Sequence, residues 1–264
     1  MKRLIVSFTV VLCAVFLLVG KSECWDYEVW RALGRVPVPE ALPRAGGPEP
    51  IAHAGGAVSG RVYTNSREAL EKSLASGYRY VELDLRKTLQ GEYFGVHKYR
   101  EFHEMAGTGW PSFLPPTNGL VEKSRLFGSL HPLFLRDACS LFAEHDAWLV
   151  TDKAGDYEAL LEACPRPERM IVEVSNLNRY YAALDAGVKY PALNTHDIEG
   201  AHKAGVKILV VTPKTYAEEK ARDAFLADGG TLLVASSERC SEFAEVFGRD
   251  GTWVYTDRCA PARK

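Results

Sequence analysis

The stretch Asn65–Leu85, NSREALEKSLASGYRYVELDL, contains one helical period, a stop and then one strand period. Asn65 reads as an N-cap with Glu68 three residues on; Ala69, Leu70 and Leu74 gather on one side, and Gly77 supplies the stop. YRYVELDL then runs as a short strand rich in aromatic and aliphatic side chains. The same alternation continues in both directions. Strand-like runs occur at PIAHA, AWLVTDK, RMIVEVS, YPALNT, KILVVTP, TLLVASS and TWVYTD, with helical patterns such as PLFLRDACSLFAEH, NRYYAALDAG and CSEFAEVFG between them. Strands alternating with helices imply right-handed βαβ units and a parallel sheet. The expected fold is therefore α/β, a single-domain (β/α)8 TIM barrel over residues 50–264. A doubly wound open sheet is the competitor, but HAGG after the first run lacks the glycine spacing of a phosphate-binding fingerprint.

Composition narrows the function classes. The chain has 264 residues, 47% hydrophobic and 25% charged, with a formal charge of −2 and no long basic run, so no nucleic-acid footprint is expected. Lys2 and Arg3 precede an uncharged apolar run from Leu4 to Gly20, the layout of a secretory signal, with cleavage expected after Ser22. Residues 1–22 are read as a signal peptide or, uncleaved, as an anchor, and residues 23–49 as an N-terminal segment with a Pro/Gly-rich linker. Outside the signal the cysteines are Cys24, Cys139, Cys164, Cys240 and Cys259, without the close pairs of a zinc site. In an oxidising compartment one or two disulfides are expected, with an odd thiol left over.

Glu82 and Asp84 are the chemically informative pair. Residues i and i+2 of a strand share a face about 6–7 Å apart, where two carboxylates repel by about 1 kcal/mol in water and by several at a protein-like dielectric. A proton, a basic partner or a divalent cation must relieve that. His53 closes the first strand, and His97 returns to the same end across a turn at Gln90 and Gly91. Between Lys98 and His131 lies a long connection rich in aromatics, proline and glycine, expected to be a lid or binding loop. Its Trp110 and Phe113 read either as a grip on an apolar part of a substrate or as packing beneath the loop. His103, His131, His145, His196 and His202 read as surface or loop histidines, and Asp257 as a tie for the last strand.

Taken in order, His53, TNS opening a helix, ELDLRKTLQGEYFGVH and TDRC resemble the glycerophosphodiester phosphodiesterase family, related to the phosphatidylinositol-specific phospholipase C barrels. Glu82, Asp84, Thr88, Gly91 and His97 fall where the family's E-x-D, T-x-D-G and H-D elements fall. The resemblance implies a hard divalent cation, Ca2+ or Mg2+, on Glu82 and Asp84, with His53 and His97 as general acid and base. Four departures mark an outlying branch: Ala54 in place of an arginine, Thr64-Asn65-Ser66 for Glu-Asn-Thr, Gln90 for an acid and Lys98 for an aspartate. Family members place a third acid on the third strand two residues before a lysine, both facing inward. Here that inward place reads as Thr151, and alternation would turn Asp152 away from Lys153 unless the strand ends there. Asp152 is taken as third metal ligand, Glu173 as its reserve, and Lys153 as the phosphate's neutralising charge.

The expected function is an exported, metal-dependent hydrolysis of glycerophosphodiesters or related alcohol–phosphate diesters, acting on a small and in part lipid-derived substrate. Membrane contact is expected only through the N-terminal segment. The alternatives are a phospholipase C- or D-like enzyme on intact lipids, and a catalytically inactive barrel that binds a phosphorylated headgroup.

Overall fold

The computed structural model describes residues 39–43, 49–235 and 249–259. The expected signal, most of the N-terminal segment, the helix expected over CSEFAEVFG, and Cys13, Cys24 and Cys240 lie outside them. In chain order the elements are β1 (Glu49–Ala52), a 3-10 turn (His53–Gly55), α1 (Arg67–Ala75), β2 (Tyr80–Lys87), β3 (Tyr93–Gly95), α2 (Tyr99–Ala106), α3 (Asn118–Lys123), α4 (Leu135–Glu144) and β4 (Trp148–Asp152). They continue with α5 (Tyr157–Glu162), β5 (Met170–Val174), α6 (Leu177–Asp185), β6 (Tyr190–Asn194), α7 (Ile198–Lys203), β7 (Ile208–Val211), α8 (Pro213–Tyr216), α9 (Glu219–Ala227), β8 (Thr231–Val234) and β9 (Thr252–Thr256). The parallel strands run β1-β9-β8-β7-β6-β5-β4-β2, and β1 pairs with β2 to close the barrel; β3 adds only an antiparallel hairpin to the end of β2. The eight expected strand runs are the barrel strands.

Alternation sorts each strand into two columns. Outward residues such as Val81, Leu83, Leu149, Val172, Leu209 and Val254 pack against the helices. Inward residues, among them Ile51, Tyr80, Trp148, Val150, Ile171, Tyr190 and Trp253, fill the barrel axis, which is a packed core and not a pore. The inward columns change character towards the C-terminal ends of the strands. Above this apolar plug stand Glu82, Asp84, Asp152, Glu173 and Tyr255. The barrel interior thus positions the site by continuing a two-residue period past its hydrophobic layers.

Two local expectations are corrected. The N-cap of α1 is Ser66, whose Oγ accepts from Ala69 N at 3.3 Å, and Asn65 instead adopts a left-handed conformation (φ 48°). Glu68 accepts from His131 N at 2.9 Å, so no capping box forms. The long connection after His97 is also more ordered than an irregular loop, because α2 and α3 pack on their own apolar cluster of Phe94, Phe102, Val121, Leu126 and Leu130. Cys139 and Cys164 form a disulfide between α4 and the end of α5. Among the described residues no helix is long and apolar enough to cross a membrane.

Candidate active site

His53 sits where β1 breaks into a tight turn. Ala54, Gly55 and Gly56 all take positive φ (48°, 83° and 89°), and a Cβ on Gly56 would stand 2.3 Å from Ser73 Oγ. HAGG is therefore a close-packing turn over α1. It also aims the Ala54 N–H at Glu82 Oε2, 2.7 Å away. In the register Ile51 pairs with Tyr255, so His53 stands beside Asp257, and its Nδ1 lies 3.1 Å from Asp257 Oδ1. Asp257 is thus a partner of His53, not simply a strand tie. The imidazole's Nε2 stands 3.9 Å from Glu82 Oε2.

His97 is built in a parallel way. Val96 N donates to Asp84 O at 2.8 Å and Arg86 Nε to His97 O at 3.2 Å, pinning the backbone after the hairpin. His97 Nδ1 lies 3.2 Å from both carboxylate oxygens of Glu101, one turn further along in α2. Each histidine therefore has its Nδ1 held by a carboxylate, which fixes the ring and leaves Nε2 for other chemistry.

Glu82, Asp84, both histidines, Asp152, Lys153 and Glu173 line one cavity of about 510 Å3. Asp84 pairs in register with Asp152 across β2 and β4, so the two carboxylates share the inward face. This corrects the expectation that Thr151 points inward. Thr151 lies in register with Leu83 and Val172, both on the helix-facing side. Alternation breaks after Asp152 because Lys153 turns left-handed (φ 66°). Lys153 consequently reaches back to Asp152 and places Nζ 3.4 Å from Asp84 Oδ1. Burial opposes its charge, but the Asp152 hydrogen bond and the charges of Asp152 and Asp84 outweigh burial and raise its pKa.

Asn65 was not foreseen as part of the site. Its Nδ2 donates to Asp84 Oδ2 (3.1 Å) and its Oδ1 accepts from Asp84 N (2.9 Å), a two-point clamp on one residue. Tyr255 was missed as well; its hydroxyl donates to Glu173 Oε1 at 2.5 Å. Of the histidines read as peripheral, His103 is buried beneath the long connection.

The cavity is strongly acidic. Five carboxylates, Glu82, Asp84, Asp152, Glu173 and Asp257, face one ammonium. Burial, then the charges of Asp84 and Glu173, push the Glu82 carboxyl well above its usual range. Burial and the Asp152 charge push Glu173 up to about 8, against the pull of the Tyr255 hydrogen bond. Among the described residues no three acidic, histidine or cysteine side chains are gathered into a ligating cluster, and Lys153 stands between Asp84 and Asp152. The donor set nevertheless suits a hard cation: all its ligands are oxygen, and one lysine leaves it under-neutralised.

Glu173 yields a pH prediction. Its carboxyl titrates near 4.5 when unfolded and at about 8 when folded, so the folded state binds the extra proton between those values. Its contribution is fully present below pH 4.5 and is lost as pH rises through about 8. Glu173→Gln keeps an acceptor for Tyr255 and removes the titration. In calorimetry with chelator present, the variant should match the parent near pH 5 and exceed it at pH 9 by a few kcal/mol, roughly 5–10 °C in Tm.

No family model and no curated protein matches the chain by sequence. Solved structures do match. A glycerophosphodiester phosphodiesterase from Agrobacterium tumefaciens superposes with a TM-score of 0.65 at 14% identity, covering 80% of this chain and 95% of that one. One from Thermotoga maritima gives 0.63 at 15% identity, with 80% and 94% covered. An Oleispira antarctica phosphodiesterase, solved with its product sn-glycerol-3-phosphate, gives 0.65 at 15% identity, with 80% and 93% covered. The chain has the fold of the glycerophosphodiester phosphodiesterases. Against that fold's sequence pattern, Gln90 has a structural task here, its Oε1 accepting from Asn118 N at 2.8 Å, and Lys98 becomes the residue before α2, 3.6 Å from Glu101. At the place of the absent arginine, Ala54 contributes its backbone N–H to Glu82 instead.

Proposed function

We propose that the protein is an exported phosphodiesterase that hydrolyses glycerophosphodiesters or related alcohol–phosphate diesters with a bound divalent cation. One observation carries the reading: His53 and His97, each with Nδ1 on a carboxylate, line the same cavity as Glu82, Asp84 and Asp152. Glu82, Asp84 and Asp152 would hold Ca2+ or Mg2+, which when bound polarises a phosphoryl oxygen. One imidazole takes the proton of the attacking oxygen, from water or from a neighbouring hydroxyl of the substrate. The other gives a proton to the leaving alkoxide as its bond to phosphorus breaks. Asp257 and Glu101 stabilise the imidazolium that each step needs, and Lys153 offers positive charge to a non-bridging oxygen. That an enzyme of the same fold holds sn-glycerol-3-phosphate as product supports a glycerol phosphate in this cavity. Export rests on Lys2, Arg3 and the apolar run that follows, and N-terminal sequencing of the protein recovered outside the cell tests it.

The decisive assay uses glycerophosphocholine and a panel of phosphodiesters, with Ca2+, with Mg2+ and with chelator. Metal-dependent turnover of at least one diester is expected; none on any would overturn the reading. Phosphorus NMR of the product separates attack by water from attack by an internal hydroxyl, since only the second releases a cyclic phosphate.

A further inference from the structure

Among the described residues the exposed large apolar side chains are Tyr63, Leu89, Trp110, Phe113, Leu114 and Phe127. Scattered singly they would need no explanation. All of them, however, lie in the connection that follows β1, in the turn of the β2–β3 hairpin or in the connection after it, at the end of the barrel where the cavity opens. The chain between Met105 and Val121 carries no charged residue, and at its tip Phe113 is 77% exposed.

This tip is held in a fixed frame. His103, buried, lies with Nδ1 2.7 Å from Thr108 Oγ1 and Nε2 3.0 Å from Leu114 O, and so fastens both sides of the loop. Leu89 N donates to Pro116 O at 2.9 Å, joining the hairpin to the same frame. Phe127 is half-exposed in a left-handed conformation (φ 52°), a costly place for a bulky residue in a turn that asparagine or glycine would suit. Its ring meets the Arg61 guanidinium 3.9 Å from the centroid, which makes the patch continuous with Val62 and Tyr63 at the cavity mouth.

Cations frame the apolar tip. Trp110 shares an open depression of about 600 Å3 with Lys123 and Arg125. Neighbouring Glu122 is turned to Arg136, 3.7 Å away, and Arg125 donates to the carbonyls of Glu122 and Ser124. Among the described residues no carboxylate pairs with Arg61, Lys123 or Arg125. A projecting uncharged tip with aromatic rings, set beside cations that have no carboxylate partner among the described residues, fits a yielding and negatively charged surface; a rigid protein partner would have to supply a matching concavity.

We propose that this face docks the protein on an anionic lipid bilayer, with Trp110, Phe113, Leu114 and Phe127 in the interface and Arg61, Lys123 and Arg125 on lipid phosphates. The cavity mouth then opens at the lipid surface. That docking would present the enzyme with diesters at the membrane is a consequence resting on the phosphodiesterase reading; the docking itself does not rest on it.

Hydrogen-exchange mass spectrometry on the full chain tests the proposal locally, whatever the N-terminal segment does. Vesicles of phosphatidylcholine alone are compared with vesicles containing a third phosphatidylglycerol. Exchange over residues 107–129 should slow several-fold on the anionic vesicles only, and Phe113→Asp should abolish the protection. The pair Lys123→Glu with Arg125→Glu should weaken the vesicle affinity read from that protection by roughly 25-fold or more, about fivefold for each basic residue. Unchanged exchange in 107–129 would overturn the proposal, as would equal protection by neutral vesicles. Protection that grows with protein concentration in the absence of lipid would assign the patch to self-association and overturn it too. Turnover of soluble glycerophosphocholine, measured in parallel, reports on the catalytic reading alone.

Discussion

Replacing His97 by alanine is expected to lower kcat/KM on the best diester by roughly 10²–10⁴, the usual contribution of one positioned proton-transfer group, and His53→Ala should do the same. Both rings are partly exposed at the cavity and neither fills the core, so Tm should stay within about 2 °C of the parent. Steady-state kinetics with calorimetry on the same samples checks both halves. The carboxylates behind the rings refine the test. Asp257→Asn and Glu101→Gln keep a side chain of similar size beside Nδ1 but remove the charge that stabilises an imidazolium. Each should cost less than the loss of its histidine, and each should shift the pH profile of kcat/KM. Full activity in the double variant His53→Ala, His97→Ala would end the acid–base reading.

What could be read from the sequence follows the range of the interaction. The barrel was legible because its signal is local and repeated: each strand carries its own aliphatic run, each helix its own stripe. Glu82 and Asp84 were legible for the same reason, as two acids on one face of one strand. His53 and His97 could be placed at the mouth once the strands were counted. Asp152 was assigned to the site on the condition that its strand ends there, and β4 does end at Asp152. Alternation counted back from Lys153 puts Thr151 inward, whereas the chain turns left-handed at Lys153 and restarts the count. Asp257 and Tyr255 gave no local sign of their partners, because β9 meets β1 only when the barrel closes. The helices inside the long connection were hidden by surrounding proline and glycine, although YREFHEMA ahead of Gly107 has a helix-stop glycine, left-handed in the structure (φ 60°).

Asn65 shows how a residue can be noticed for a wrong reason, and its substitution should have the largest effect on stability. It looked like a helix cap because it precedes a helical stripe, yet Ser66 performs that task. Its left-handed backbone turns the amide side chain onto β2, where it meets both the backbone and the carboxylate of Asp84. The same residue leaves no room on its far side: a Cβ on Gly95 would stand 2.7 Å from Asn65 O. Asn65→Ala removes a hydrogen bond to a buried carboxylate and one to a buried N–H, and asks alanine to hold a conformation costing roughly 1–2 kcal/mol. The expected loss is about 3–5 kcal/mol, or roughly 6–20 °C in Tm. Because Asp84 loses the group that orients it, affinity for the cation proposed to bind there should also fall by roughly 10–100-fold, as when the partner behind a metal ligand is removed. Calorimetric unfolding with chelator measures the first effect and metal titration of turnover the second. If Tm fell while the cation dependence of turnover stayed unchanged, Asn65 would be a structural clamp only, and Asp84 would have to be removed from the set of ligands.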